Sequence, residues 1–423
     1  MVIKRNFSLK QLITLLIIAL STTSFLSPLF CSVLLSVFFV FLMVTTKGFL
    51  NRNIFFGIKP LLVAFLIGFY GLFVNQIQNS IRDIFFFLMP IMIFILGRWF
   101  YNSSVSFSKL YDTFINIGFL LGLVHLSTFF LDPGLITQDL NSINAVSHLA
   151  GDFVTIALIF SLFRSKLNSP NSIHFSFFSF IKFIVLFLSF FLSYSRTAWA
   201  ILFITYVGFL LYYFKFRLKS LILISSVFLL LFLLFFVYRN SGTDEISFLG
   251  KLLRSQNELS ISDYSEMVDI TDNWRGFETY RAIETYLEGN FLQHLIGYGF
   301  GGLVKLGITI NLAGSDYDNL PVLHNGFAYL LIKSGAAGLL MYLYFFMGLL
   351  KLSLKGKTNS KDIHLYKFLL FGFSLSLMFT MFVVMGMVQG NQMPIVFFVG
   401  YLYAHIKSLS SQYSETSQIG KLN

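Results

Sequence analysis

Three short runs in this sequence carry residue types suited to an anionic or hydroxylated substrate. The first is Ser193-Tyr194-Ser195-Arg196-Thr197-Ala198-Trp199, where one cation stands between two long apolar runs. A guanidinium in that setting is costly unless paired. It can grip phosphate oxygens through two parallel N–H bonds; the bland alternative is snorkelling to lipid headgroups. The second run is Asp272-Asn273-Trp274-Arg275-Gly276-Phe277. It opens a helix expected over 273–288, with Phe277, Tyr280, Ile283 and Leu287 on one stripe. Asp272 or Asn273 can cap that helix. A cation in the first turn opposes the helix dipole by roughly 0.3–1 kcal/mol, so Arg275 is not placed there for helix stability. Arg281, three residues from both Glu278 and Glu284, reads more simply as the centre of a salt-bridge ladder. The third run is His324-Asn325-Gly326-Phe327 at the head of an apolar helix. An imidazole accepts a hydroxyl proton near neutral pH; capping or an interfacial position explains it equally well.

Other patterns carry less. Gly297-Tyr298-Gly299-Phe300-Gly301-Gly302 looks like a phosphate-cradling loop, but no strand precedes it and no Lys-Ser/Thr follows. A tight turn with close backbone approach is the better reading. Asp316-Tyr317-Asp318 is read as part of a solvated loop. No His/Cys cluster has metal-ligand spacing, so neither a metal nor a cofactor is expected, and the single cysteine, Cys31, excludes a disulfide framework.

The elements that must position these runs are membrane helices. Hydrophobic residues make up 56% of the 423, with 55 Phe, and charged residues only 12%. Mean hydropathy is +0.76. Such a chain cannot cover a soluble surface with polar groups, whereas a lipid-facing surface needs none. Spanning the hydrocarbon takes about 20 apolar residues. Runs of that kind lie near 11–27, 29–46, 59–76, 83–101, 110–131, 145–163, 175–193, 197–214, 219–238, 326–350, 365–388 and 391–407. With the N-terminus in the cytoplasm, twenty of the thirty Lys and Arg residues fall on inner segments. The short outer loops hold only Arg82 and Arg196, while Lys182 and Lys333 fall mid-span without evident partners. The net charge of +11 therefore reflects topology and anionic headgroups, not a nucleic-acid partner. One outer loop, 239–323, holds twelve acidic against six basic residues and is too long to be a mere connector. Arg196, Arg275 and His324 all fall on that outer face.

Taken in order, the runs resemble the O-antigen ligase / O-antigen polymerase superfamily of bacterial envelope glycosyltransferases. Three pieces carry the resemblance: S-x-S-R-x-x-W at Ser193–Trp199, an Arg-led helix running toward a G-x-G-x-G element at Arg275–Gly301, and H-N ahead of K-S-G-x-x-G at His324–Gly338. It covers Ser193 to about Leu343, and the plan of one large loop before the tenth span agrees with it. The resemblance implies a GT-C-like enzyme acting without metal on undecaprenyl-diphosphate-linked glycans. Arg196, Arg275 and His324 stand where the family has functional Arg and His residues. Tyr194, Arg281, Asn325, Gly297 and Gly299 are the accompanying candidates for substrate binding. Lys333 departs from the pattern, since the family often has an acidic residue two before the helix glycine. The first outer turn, at Ser27-Pro28, also lacks the carboxylates that many lipid-sugar transferases carry there.

The expectation is thus an all-α polytopic membrane protein of about twelve helices, in the bacterial inner membrane with both termini cytoplasmic. Helices one to nine occupy 1–238, the periplasmic loop 239–323, helices ten to twelve 324–407 and a tail 408–423. The expected activity is polymerisation of a surface polysaccharide from undecaprenyl-diphosphate-linked units, alongside a flippase and chain-length regulator proteins. The alternatives are a ligase moving glycan onto lipid A core and, in another class, a flippase or transporter. The last predicts paired broken helices and buried charges along a central path.

Overall fold

A computed structural model describes residues 9–21, 28–45, 57–103, 105–132, 151–168, 177–213, 258–262, 264, 266–312, 315–355, 361–388 and 390–419. The predicted ninth span, 219–238, and the loop residues 239–257 lie outside these. The helices of the bundle are α1 (Leu9–Ser21), α2 (Pro28–Thr45), α3 (Lys59–Gly68, tightening into a 3₁₀ turn at Phe69–Phe73), α4 (Ile77–Asn102), α5 (Phe107–Leu131), α6 (Gly151–Asn168), α7 (Phe177–Leu192) and α8 (Arg196–Tyr213). The loop contributes α9 (Met267–Asp272), α10 (Trp274–Leu287), α11 (Phe291–Ile296) and strands β1 (Val304–Leu312) and β2 (Ser315–Leu320). The bundle then resumes with α12 (Gly326–Leu354), α13 (Lys361–Val384) and α14 (Met393–Ile419).

Among the described residues, four helices are long and apolar enough to cross a membrane: Ile77–Asn102, Phe107–Leu131, Gly326–Leu354 and Ile363–Val384. At 26 residues, α4 is roughly 39 Å long, against a hydrocarbon core of about 30 Å. It packs along α14, and the sequence makes that approach possible with glycine. A Cβ at Gly97 would strike the Phe397 carbonyl, and one at Gly400 the Phe94 carbonyl. In lipid, where no hydrophobic effect draws helices together, such backbone proximity supplies the packing energy. Phenylalanines fill the rest: Phe160 lies edge-on to Phe107, Phe114, Phe373 and Phe398 at 4.5–6.0 Å between ring centroids.

The loop elements form a cap docked on one end of the bundle: α10 and α11 both contact α12, and β1 contacts α10. Two expectations are corrected here. The chain is mostly helical but not all-α, because β1 and β2 pair antiparallel with Val304 facing Leu320 and Leu312 facing Ser315. Its first strand alternates buried Val304, Leu306 and Ile310 with exposed Lys305, Gly307 and Thr309, the two-residue period of a half-buried strand. Asp316 and Asp318 lie on β2, where they accept from Asn311 and Thr309 on the facing strand.

The second correction concerns α10. Its buried face is Gly276, Phe277, Glu278, Thr279, Ala282 and Thr285; of the expected stripe only Phe277 is core, while Ile283 and Leu287 are 36% and 66% exposed. The helix is rotated so that Glu278 joins Phe277 on the buried face while Ile283 and Leu287 face out. Neither expected cap forms: Asp272 ends α9, and Asn273 turns its amide back to the Asp269 carbonyl.

Candidate functional site

The site begins at the α7–α8 turn. Ser193 bonds back to the Phe190 carbonyl, Tyr194 takes a left-handed conformation (φ 46°), and the Ser195 hydroxyl accepts from the Ala198 N–H. This sharp reversal leaves Arg196 as the first residue of α8, with Trp199 packed at a tilt against Phe190, ring centroids 4.8 Å apart. The Arg196 guanidinium forms two parallel bonds to Glu258, Nη1 to Oε1 and Nη2 to Oε2, both 3.0 Å. This fork is the geometry in which arginine grips any planar or tetrahedral oxyanion.

The same carboxylate faces the second arginine. Arg275 Nη1 stands 4.0 Å from Glu258 Oε2, so two cations share one anion. Burial lowers the Arg275 pKa, Arg196 lowers it further, and Glu258 and Glu278 oppose both effects. The two guanidiniums are thus held close enough to repel, a cost that an additional anion would relieve. The strap carrying Glu258 comes this near because residue 276 is glycine: a Cβ there would run into the Ser260 carbonyl oxygen.

One turn along α10, Glu278 is 3% exposed and accepts twice from His324: from the ring Nδ1 at 2.8 Å and from the backbone N–H at 3.1 Å. The carboxylate fixes both position and ring orientation of the histidine. With Nδ1–H donating to it, the neutral ring presents Nε2 as an acceptor, which is the arrangement of a base oriented by a third group. The imidazole side chain is 49% exposed. Its main chain is equally constrained, because the His324 carbonyl accepts from Met385 N in the turn after α13.

Arg196, Arg275 and His324 are therefore brought to one end of the bundle and joined through Glu258, which did not stand out in the sequence, and Glu278, which the spacing assigned to Arg281. The accompanying candidates have other positions. Arg281 bonds Glu284 at 2.6 Å and lies over the rings of Phe277 and Tyr280; Glu278, its other expected partner, is turned to His324. Asn325 caps α12, its side chain accepting from Phe327 and Ala328 N–H. Tyr194 packs with Phe129.

Gly297 and Gly299, both at φ +78°, dock the cap onto the bundle. Gly299 lies against the backbone of Gly71 and Gly297 against Ser334 and Gly335. Tyr298 N donates to the Ile332 carbonyl at 2.7 Å and Phe300 N to the Gly68 carbonyl at 2.7 Å. Gly335 breaks α12 with φ 62° and ψ −168°, and the Ile332 carbonyl thereby freed is satisfied by Tyr298.

Directly beneath is a charge pair that corrects the reading of Lys333 as unpartnered. Lys333 Nζ is 2.6 Å from Asp83 Oδ2, the two side chains being 2% and 0% exposed. The lysine also donates to the Gly302 and Pro321 carbonyls, and Asp83 accepts from Gly301 N and the Tyr329 hydroxyl. Lys182 likewise has a partner, the Asn116 side-chain oxygen. Among the described residues no group of His, Cys, Asp and Glu could hold a metal ion.

Fold and site together define a polytopic membrane protein whose extramembrane cap closes a cation cluster and a carboxylate-held imidazole over one end of a helix bundle. Residues 181–343 match the family model described as O-antigen ligase, which supports the resemblance to the O-antigen ligase / O-antigen polymerase superfamily. The match begins in α7 and ends in α12, so it contains Arg196, Glu258, Arg275, Glu278 and His324. No curated protein is significantly similar to the chain.

Proposed function

We propose that the protein is a metal-independent membrane glycosyltransferase acting on a lipid-diphosphate-linked glycan at the outer face of the bacterial inner membrane. The observation that carries this reading is the sharing of one carboxylate by Arg196 and Arg275 beside the Glu278-held His324. In the reaction, an acceptor sugar hydroxyl attacks the anomeric carbon of the donor. The new C–O bond forms as the bond to the diphosphate oxygen breaks, and the diphosphate leaves with the electron pair. His324 Nε2 takes the hydroxyl proton. Arg196 and Arg275 stabilise the negative charge gathering on the leaving group, an effect worth most where the donors are already held in place. The energy comes from the donor's own diphosphate, so no nucleotide is required.

The cap is read as periplasmic, the bundle as about twelve GT-C-like crossings and the termini as cytoplasmic. The leading substrate assignment is polymerisation of undecaprenyl-diphosphate-linked repeat units. The description of the matching family favours a second reading, transfer of finished glycan to lipid A core. A glycan blot of a deletion strain separates them: loss of a polymerase leaves core bearing one repeat, and loss of a ligase leaves bare core. A transporter is disfavoured because the break in α12 is filled by the chain's own Tyr298, whereas transporter helix breaks line a substrate cavity. The deciding test is glycan extension by purified protein from lipid-linked repeats. Arg275→Ala or Arg196→Ala should lower turnover by about 10²–10³ with normal membrane insertion. Full activity in either correctly inserted variant rejects the assignment.

A further inference from the structure

Glu258 lies where an anionic ligand of the two arginines would lie. It fills the Arg196 fork with both oxygens at 3.0 Å, and the nearer of them is 4.0 Å from Arg275. We infer that Glu258 is a placeholder for the donor diphosphate: it neutralises the arginine pair in the empty enzyme and must vacate the fork when the donor binds. This inference rests on the proposed diphosphate reading.

Three features favour displacement over a permanent ion pair. The Glu258 side chain is 21% exposed and Arg196 and Arg275 are 19% and 25% exposed, so the carboxylate can rotate into water instead of being stranded in a dry interior. Arg275 is engaged at only 4.0 Å, too long for a hydrogen bond, so the carboxylate seated on Arg196 does not saturate Arg275. A diphosphate offers more charge and more acceptor oxygens than one carboxylate, enough to reach both guanidiniums. If Glu258 stayed in place, it would oppose the donor's charge within the same pocket.

The role is one of gating and selectivity: a ligand with a single weak negative charge gains little by replacing a carboxylate already seated, whereas a diphosphate gains. Glu258 touches the arginines, not the reacting atoms, and is not assigned a catalytic part.

The test is binding of inorganic pyrophosphate to the purified full-length protein in lipid nanodiscs, by calorimetry, with donor kinetics alongside. Glu258→Gln removes the competing charge and should bind pyrophosphate about tenfold tighter, the scale of one charge-assisted contact. Its KM for the lipid-linked donor should fall without a rise in kcat. Glu258→Asp, which keeps the carboxylate, should remain near wild type. If Glu258→Gln is not recovered folded, Gly276→Ala must shift pyrophosphate affinity in the same direction, since its Cβ pushes on the Ser260 carbonyl and lifts the strap. Unchanged or weaker binding by Glu258→Gln, with wild-type binding still abolished by Arg196→Ala, overturns the placeholder and leaves the diphosphate reading standing. Binding that is undetectable in both wild type and Glu258→Gln, or is insensitive to loss of the arginines, overturns both.

Discussion

Two charge clusters lie at the same end of this bundle, and they are built on opposite terms. In the Asp83–Lys333 cluster both residues are essentially inaccessible. Lys333 donates to Asp83 and to two carbonyls, while Asp83 also accepts from a backbone N–H and a tyrosine hydroxyl. In the Arg196–Glu258–Arg275 cluster the side chains are 19–25% exposed, and among the described residues Arg275 has no closer acidic contact than 4.0 Å. A buried charge whose hydrogen-bonding capacity is filled is a structural element, because any ligand would have to break it. A pair of like charges within reach of water, one of them held only at 4.0 Å, is poised for an anion. The difference tells more about function than does the presence of charge in an apolar protein.

The comparison can be broken first at the dry cluster, where the largest stability effect is expected. Lys333→Met leaves the Asp83 carboxylate buried without its cation and should destabilise the protein by about 3–5 kcal/mol, read as thermal unfolding in nanodiscs. Adding Asp83→Asn should recover most of that loss, because the neutral amide keeps one oxygen to accept from Gly301 N and its NH2 can donate to the Tyr329 hydroxyl. A Lys333→Met protein as stable as wild type would remove the distinction between the clusters. Glu278→Gln tests the other side. It keeps an acceptor for His324 but removes the charge that supports its protonated form. Turnover should drop by about 10–100-fold, less than the roughly 10²–10⁴ of general acid–base catalysis because the imidazole itself remains, with little change in unfolding temperature. A loss of stability matching that of Lys333→Met would instead class Glu278 with the structural charges.

What could be read from the sequence and what could not follows the same division. A cation in apolar surroundings is conspicuous, so Arg196 could be found, and the dipole argument found Arg275. Their partners are not local: Glu258 is 62 residues from Arg196 and Glu278 is 46 from His324. Within a loop holding twelve acidic residues, nothing nearby marks Glu258, and local spacing points Glu278 to Arg281 instead of His324. Lys333 did carry a usable signal. A lysine mid-span requires a carboxylate at similar depth, and Asp83 is the acidic residue at the head of an apolar run on a neighbouring helix. The hairpin was legible too, in the alternation from Val304 to Ile310, although the polar composition around it matches a solvated loop equally well. The rotation of α10 could not be read, since hydrophobic periodicity marks Ile283 and Leu287 as core while the site requires Glu278 to face inward.

The smallest expected effect is at Arg281, and it sharpens the comparison because this arginine sits on the same helix as Arg275, two turns away. Its guanidinium is committed: it bonds Glu284 at 2.6 Å, lies 5.2 Å from the Phe277 ring centroid and packs beneath Gly307 of β1. A helical ion pair contributes about 0.2–0.5 kcal/mol and an exposed cation–π contact about 0.5–1 kcal/mol. Arg281→Ala should therefore cost about 1 kcal/mol of stability, most of it lost packing, with turnover within about twofold of wild type, since no term at the reacting centre is removed. Arg281→Lys should retain the ion pair and lose the planar stacking, falling between the two. A drop in turnover comparable to that of Arg275→Ala would show that a fully engaged arginine can still serve the donor. Engagement would then not separate structural from functional charge in this protein, and the boundary of the site would have to be redrawn around the whole inner face of α10.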